Sequence, residues 1–134
     1  MNKYMLGTDT CIFITRKSKP ALLARIASVP LAQQCISVVT PAEMLYGVQL
    51  SANQIANQQA VDLFVQHLEV LHWTPEAAKH YAEIRVDLKR LGHQIGSNDL
   101  MIAAHARSLG AVIVTNNVTD FGRVKGLEFE KWME

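Results

Sequence analysis

The segment Ala111–Thr115 constrains the fold of this chain more than any other. It reads Ala-Val-Ile-Val-Thr, an apolar and mostly β-branched run that is typical of a strand buried on both faces of a parallel sheet. Parallel strands need long crossover connections, which are usually helices. We therefore expect an α/β fold in which short strands alternate with helices.

The rest of the chain follows this alternation. Other strand-like segments are 3–6, 35–39, 69–71 and 127–129. Thr40, Pro41 and Glu43 have the form of a helix start, with threonine as N-cap, proline at the first position and glutamate at the third. Asp9 or Thr10 is expected to cap an earlier, short helix. We predict a single domain, residues 1–134, with a mostly parallel central sheet flanked by helices.

Composition restricts the function classes only weakly. The chain has 134 residues, 49% of them hydrophobic, and a formal net charge of +1, so bulk charge gives no sign of a nucleic-acid partner. Cys11 and Cys35 are too few for a disulfide framework and are expected to be reduced and buried. No apolar run approaches the ~20 residues of a membrane span, and residues 1–10 lack the apolar core of a signal peptide. We therefore expect a cytoplasmic protein.

Polar side chains follow the predicted strands or open the helices next to them. They are Thr8 and Asp9, Glu43, Asp99, and the group Thr115, Asn116, Asn117 and Asp120. Sites in α/β sheets form at the carboxyl ends of strands, and carboxylates suit a hard divalent ion such as Mg²⁺. Local roles also explain several of them: capping for Glu43, the helix dipole for Asp99, and a turn for Asn116 and Asn117. The pattern alone leaves these alternatives open.

Four segments together resemble a known family. They are 5–11, 40–47, 97–106 and 114–121. In this order they resemble the successive signature blocks of VapC-type toxins, which are PIN-domain ribonucleases, and they cover essentially the whole chain. The resemblance implies a PIN-like fold and endonucleolytic cleavage of RNA with Mg²⁺ or Mn²⁺ as cofactor, tRNA being a frequent target. It also implies a homodimer and a VapB-type antitoxin that blocks the toxin groove.

The resemblance assigns roles to individual residues. The matched positions are Glu43, Asp99 and Asp120 as catalytic and metal-binding acids, with Thr8, Thr115, Asn116 and Asn117 as supporting polar residues. Asp9 is a further candidate metal ligand. Arg16, Lys17 and Lys19 form the densest basic cluster, and we expect them to contact RNA phosphates.

Gly7 departs from the family pattern. The family's first strand usually ends in Leu-Asp-Thr-Asn, whereas this chain has Leu6-Gly7-Thr8-Asp9. Gly7 therefore stands where the first metal-binding aspartate is expected. Three explanations remain open: a change introduced or selected to abolish toxicity, an inactive natural copy, or replacement of the missing ligand by Asp9. We expect poor metal binding and little or no nuclease activity, which appreciable Mg²⁺-dependent RNA cleavage would refute.

Two other functions compete with the toxin. One is a catalytically dead PIN domain that binds antitoxin or RNA, and growth arrest on restoring aspartate at position 7 would argue against it. The other is a phosphatase or a structure-specific DNA nuclease with a similar acidic site, which a panel of substrates would reveal.

Overall fold

The centre of the protein is a five-stranded sheet in the order β3-β2-β1-β4-β5, in a computed structural model that describes residues 3–133. The strands are β1 (Tyr4–Leu6), β2 (Gln34–Ser37), β3 (Glu69–Leu71), β4 (Val112–Val114) and β5 (Phe129–Glu130). Every neighbouring pair is parallel, which confirms the predicted α/β class. Only the strand ends differ from the sequence-based bounds, by one to two residues.

Seven α-helices of the described residues connect and flank the strands. They are α1 (Thr8–Arg16), α2 (Pro20–Ser28), α3 (Val39–Leu50), α4 (Gln54–Gln66), α5 (Pro75–Arg90), α6 (Ser97–Leu109) and α7 (Val118–Phe121). Within the part of the chain that is described, none of these helices is both long and apolar enough to cross a membrane.

Helices cover both faces of the sheet. Met5 and Leu6 are consecutive in β1, and they belong to opposite clusters of buried side chains, because successive residues of a strand point to opposite faces. Ile113 and Val114 of β4 divide in the same way. This two-sided burial explains why the strands read as continuous apolar runs rather than as an alternating pattern.

The start of α1 differs from the sequence prediction. The helix begins at Thr8 with Gly7 as its N-cap residue, and no side chain caps it. The carbonyl of Gly7 accepts the N–H of Cys11 at 3.0 Å. The prediction that Asp9 or Thr10 caps this helix is therefore wrong, since both lie inside the first turn.

The start of α3 also differs, and the difference concerns a predicted site residue. The helix begins at Val39 rather than after Thr40, and the Ser37 Oγ accepts the N–H of Val39 at 3.2 Å. Glu43 is consequently the fifth residue of the helix, too far along to form a capping box. Capping therefore does not explain this glutamate.

Gly47 lies in the interior of α3, where no backbone requirement calls for glycine. A Cβ built on it meets no atom within 4 Å. Because glycine in a helix is less favourable than alanine, we expect Gly47→Ala to raise the free energy of unfolding by about 0.5–1 kcal/mol. Urea denaturation would measure this. As a control, Gly110→Ala should destabilise the protein, since Gly110 ends α6 with a φ of 64°.

Candidate active site

The carboxyl ends of the three central strands meet at one edge of the sheet. β1 lies between β2 and β4, so the residues that follow these strands are neighbours although they are distant in sequence. The helix α6 runs back toward β4 and starts at the same edge, where it places Asp99 in its first turn. The predicted site residues are therefore brought to one region, as parallel topology requires.

Thr8 joins α1 to the carboxylate on α3. Its Oγ1 donates a hydrogen bond to Glu43 Oε1 at 2.6 Å, and it lies 3.1 Å from Thr40 Oγ1. Thr40 is fully buried, which fixes this hydroxyl pair in the protein. Glu43, itself half-buried, is thereby held in one orientation at the edge of the sheet.

Asp9 is bound to the end of β4. Its Oδ2 accepts the N–H of Asn116 at 2.8 Å, and Thr115 Oγ1 lies 3.2 Å from each of its two oxygens. The N–H of Asn117 donates to Thr115 Oγ1 at 3.0 Å. Because this bond uses a lone pair of the hydroxyl, the hydroxyl hydrogen is free to donate to Asp9.

Gly7 lies directly beside this carboxylate. A Cβ at Gly7 would lie 3.0 Å from Asp9 Oδ1 and 3.1 Å from the carbonyl oxygen of Val114. The N–H of Gly7 donates to the same carbonyl at 2.8 Å, so the backbone on that side is fixed. Any side chain at this position would have to push the Asp9 carboxylate aside.

Asp120 is held by its own turn and by a nearby cation. Its backbone N–H donates to Asn117 Oδ1 at 3.4 Å, and Asn117 Nδ2 donates to its Oδ2 at 3.1 Å. Arg123 Nη1 lies 3.5 Å from Asp120 Oδ1, in a pair whose side chains are each about one-third exposed. Within residues 3–133, Asp9, Glu43 and Asp99 have no comparable cationic partner within salt-bridge distance.

The Asp99 carboxylate experiences repulsion from the other three acids. Burial raises the pKa of the Asp99 carboxyl to about 6, and the negative charges of Glu43, Asp9 and Asp120 contribute to this rise. This dependence indicates that the acids from four segments lie near enough to one another for their charges to interact. A cation bound among them would relieve the repulsion.

The donor set fits a divalent cation that keeps part of its water. Carboxylate oxygens suit Mg²⁺, which is usually held by one or two carboxylates and several waters. No three His, Cys, Asp or Glu side chains of the described residues stand close enough together to hold one ion. Of the four acids of the site, Glu43 and Asp99 are the two for which no cation and no backbone N–H is bound to the carboxylate in the part of the chain that the structure describes, so they fit best.

The structure divides the predicted basic cluster. Arg16, Lys17 and Lys19 are all exposed, but only Arg16 lines a cleft together with an acidic site residue, Glu43. Lys17 lines a different, apolar cleft, and Lys19 Nζ lies 5.3 Å from the centre of the Phe13 ring. Of the three, Arg16 is therefore the best placed to contact RNA near the acids.

Residues 8–127 match the PIN domain family. The relative named tRNA(fMet)-specific endonuclease VapC, from Salmonella typhimurium, is 42% identical over 132 residues, which are 98% of this chain and 99% of the relative. The chain belongs to the VapC-type branch of the PIN-domain family. The resemblance inferred from the four sequence segments is thus confirmed.

Solved VapC-type structures share the fold of this PIN domain. The structure of DNA-bound VapBC from Salmonella typhimurium has a TM-score of 0.92 at 39% identity, covering 98% of this chain and 99% of that one. VapBC2 from Rickettsia felis, bound to a promoter DNA fragment, has a TM-score of 0.89 at 36% identity, covering 96% and 98%.

Sequence reasoning missed two members of the PIN-domain site. Thr40 was predicted to be an N-cap, whereas its hydroxyl lies against Thr8 beside Glu43. Arg123, the partner of Asp120, was not predicted at all. The only signal for Arg123 was its spacing of three residues from Asp120, which places the two side chains one turn apart.

Proposed function

We propose that this VapC-type protein is the toxin of a toxin–antitoxin pair and that its chemistry is metal-dependent endonucleolytic cleavage of RNA, with tRNA as the substrate. The observation that carries the proposal is the arrangement of Asp9, Glu43, Asp99 and Asp120 at the carboxyl ends of β1, β2 and β4, where Thr8 binds Glu43 and Asp9 binds the end of β4. The charges of the other three acids contribute to the raised pKa of Asp99. The name of the Salmonella typhimurium relative supports tRNA. We place the protein in the cytoplasm, where this substrate is found.

Each residue has a defined task in this proposal. Glu43 and Asp99 would hold the cation, and Thr8 keeps Glu43 oriented by its 2.6 Å hydrogen bond. A bound Mg²⁺ or Mn²⁺ would polarise a phosphoryl oxygen and lower the pKa of a bound water. Asp120, Asn116 and Asn117 border the site, and Arg16 holds the substrate phosphate where the cleft begins.

Cleavage is strongly impaired as the sequence stands, because Gly7 supplies no carboxylate. Asp9 is a poor replacement. Its carboxylate is already bound to the end of β4, where the hydroxyl of Thr115 and the N–H of Asn116 take about two of its roughly four lone-pair sites and fix its direction. The lack of a carboxylate at Gly7 also favours a second candidate function, an inactive PIN domain that binds antitoxin or RNA without cutting RNA.

This protein has a surface that suits the proposed antitoxin partner. An apolar cleft of about 550 Å³ lies between α1, α2 and α4, and Ile14, Ile26, Leu63, Phe64 and Leu68 are among its lining residues. Such a groove suits the apolar face of a partner helix. The VapBC names of the solved relatives support a VapB-type antitoxin as occupant. Homodimer formation remains a prediction from the family resemblance.

A substrate panel tests the reaction class. The Gly7→Asp protein would be incubated with Mn²⁺ and a total tRNA pool, single-stranded DNA, a branched DNA or a phosphate monoester. Cleavage of tRNA alone, stopped by a chelator, is the expected result. Preferential hydrolysis of DNA or of the monoester would contradict the proposal and favour the nuclease or phosphatase alternative.

Charge reversal tests the binding of RNA phosphates. We expect Arg16→Glu with Lys17→Glu to weaken tRNA binding and to flatten its dependence on salt, by about 0.7 in the logarithmic slope for each phosphate that is no longer neutralised. Binding isotherms at several salt concentrations would measure the slope. Lys125→Glu, an exposed lysine after α7, serves as the control. An unchanged slope in the double variant would count against phosphate binding at this cluster.

A further inference from the structure

We infer that the cleft between α1, α3 and α4 is a nucleotide subsite, which holds the base of one unpaired RNA nucleotide next to the phosphate that is cut. The inference rests on the proposed function, because it takes RNA as the substrate. It adds a specificity pocket to the acidic site. The cleft measures about 260 Å³, and its lining includes Arg16, Glu43, Met44, Gly47, Asn57 and Val61.

The cleft starts at an acid of the site and runs along α3. Glu43 and Gly47 are four residues apart on this helix, so they lie on the same face one turn apart. Ser51, at the end of α3, lines the cleft as well. A chain that is cut beside Glu43, with its phosphate at Arg16, would therefore have a neighbouring base at the level of Gly47.

Gly47 keeps this space open. A Cβ at Gly47 meets no atom within 4 Å, so the neighbouring helices do not require a glycine for their packing. The helix interior does not favour glycine either. The wall opposite is built from the short side chains of Ala60 and Val61 on α4. Gly47 on α3 and Ala60 on α4 thus leave a hollow beside the acid.

The lining has the chemistry that a base and its phosphate need. Met44 and Val61 are buried apolar side chains that offer surfaces for the faces of a base. Asn57 is exposed, and its amide carries both donors and acceptors for a base edge. Arg16 supplies the positive charge for a phosphate. Among the described lining residues Glu43 is the only acid, and it lies at the end that meets the site.

The size of the cleft favours a nucleotide over a protein segment. The volume of about 260 Å³ lies just below the roughly 300–1,000 Å³ of pockets for drug-sized ligands, which leaves room for a single base but not for a helix. The apolar cleft that fits an antitoxin helix is a different one, at about 550 Å³. Sequence-specific binding of RNA commonly uses unstacked bases of loops, which are splayed into such pockets.

Filling the cleft tests the inference through binding, which does not depend on cleavage. The probe is fluorescently labelled tRNA(fMet) with a chelator present, measured by anisotropy. We expect Gly47→Leu to weaken binding about tenfold or more, the usual order when one base is no longer held. Ala56→Leu adds a similar bulk on α4 at an exposed position that does not line the cleft, and we expect its affinity to stay within about twofold of the parent.

Two further variants cover the case in which leucine disturbs the fold. Gly47→Ala has room for its methyl group, and we expect it to bind tRNA more weakly while its melting temperature does not fall. Asn57→Asp is nearly isosteric and should change the relative affinity for short homopolymers of A, C and U. A merely structural asparagine would not alter that preference.

Several outcomes overturn the inference. Parental affinity in Gly47→Leu would mean that the cleft holds no base, while RNA recognition by the protein would stand. If Gly47→Leu binds RNA normally but no longer binds a VapB-type antitoxin, the cleft holds a protein segment and not a base. Failure of the parent itself to bind tRNA would refute the proposed function, and the subsite with it.

Discussion

The double variant Gly7→Asp with Asp9→Asn is expected to raise Mg²⁺- or Mn²⁺-dependent cleavage of tRNA by about 100-fold or more. A metal site contributes several kcal/mol to the transition state, and each 1.36 kcal/mol is a factor of ten in rate. Restoring the missing carboxylate recovers part of that contribution.

The single variant Gly7→Asp is expected to recover less. Its new Cβ would lie 3.0 Å from Asp9 Oδ1, so the new carboxylate would be an immediate neighbour of the Asp9 carboxylate, and like charges repel. Asparagine at position 9 removes the charge but keeps an oxygen to accept the N–H of Asn116. The double variant therefore places one carboxylate, and not two, beside the end of β4.

Initial rates on a tRNA pool, with and without a chelator, measure both effects. Gly7→Asn with Asp9→Asn is the matched control, because it has the same shape without the carboxylate, and it should stay at the parental rate. Equal rates for the parent and the double variant would mean that Asp9 or water already supplies the ligand. No cleavage by any variant would favour the inactive binding module, and absence of growth arrest on expression would agree with it.

Removing the charge of Asp99 is expected to stabilise the fold while it destroys the site. The pKa of this carboxyl rises from 3.8 to about 6, so the folded protein binds its proton more tightly than the unfolded chain does. The stability that results is complete below about pH 4 and is lost as the pH rises through 6. At pH 7.5, the ionised carboxylate therefore destabilises the fold, and Asp99→Asn removes this effect.

We expect Asp99→Asn to be more stable than the parent by about 1–2 kcal/mol at pH 7.5, after allowance for solvent screening of the half-buried group. The difference should shrink as the pH falls from 6 to 4. Urea denaturation at pH 7.5 and 4.5 measures it. Asp62→Asn, an exposed site on α4, should change stability by about 0.5 kcal/mol or less at either pH. Lower stability of Asp99→Asn at pH 7.5 would show that the repulsion is absent.

Added Mn²⁺ should reverse this order in a chain whose metal site is complete. A ligand that binds only the folded state stabilises it by mass action. With the first carboxylate restored by Gly7→Asp and Asp9→Asn, we expect Mn²⁺ to raise the melting temperature. Adding Asp99→Asn to that double variant should abolish most of the rise. An equal rise in both proteins would place the ion elsewhere.

The strands were predictable because strands that are buried on both faces consist of nearly continuous apolar residues. The bounds of β3 agree with the sequence prediction residue for residue, and the apolar run at β4 identified a strand covered on both faces. The start of α3 was not predictable in the same way. The N–H of Val38 pairs with the carbonyl of Leu71 in β3, and this contact between distant segments sets where the chain leaves the sheet.

The acids of the site were named from the family resemblance, whereas their arrangement was not accessible from sequence. No local pattern shows that Asp9 binds the N–H of Asn116 or that its carboxylate fills the space beside Gly7. Both contacts depend on the pairing of β1 with β4. These two contacts are the reason why the missing ligand is tested by changing positions 7 and 9 together.

The bond from Asp9 to Asn116 spans 107 positions of the chain, and this has a consequence for synthesis. β1 is central in the sheet, yet its neighbour β4 leaves the ribosome long after it. A nascent chain that ends before Asn116 lacks one wall of the acidic site, whatever has already folded. The acidic site of a chain with this topology therefore forms only after β4 and the residues that follow it have been synthesised.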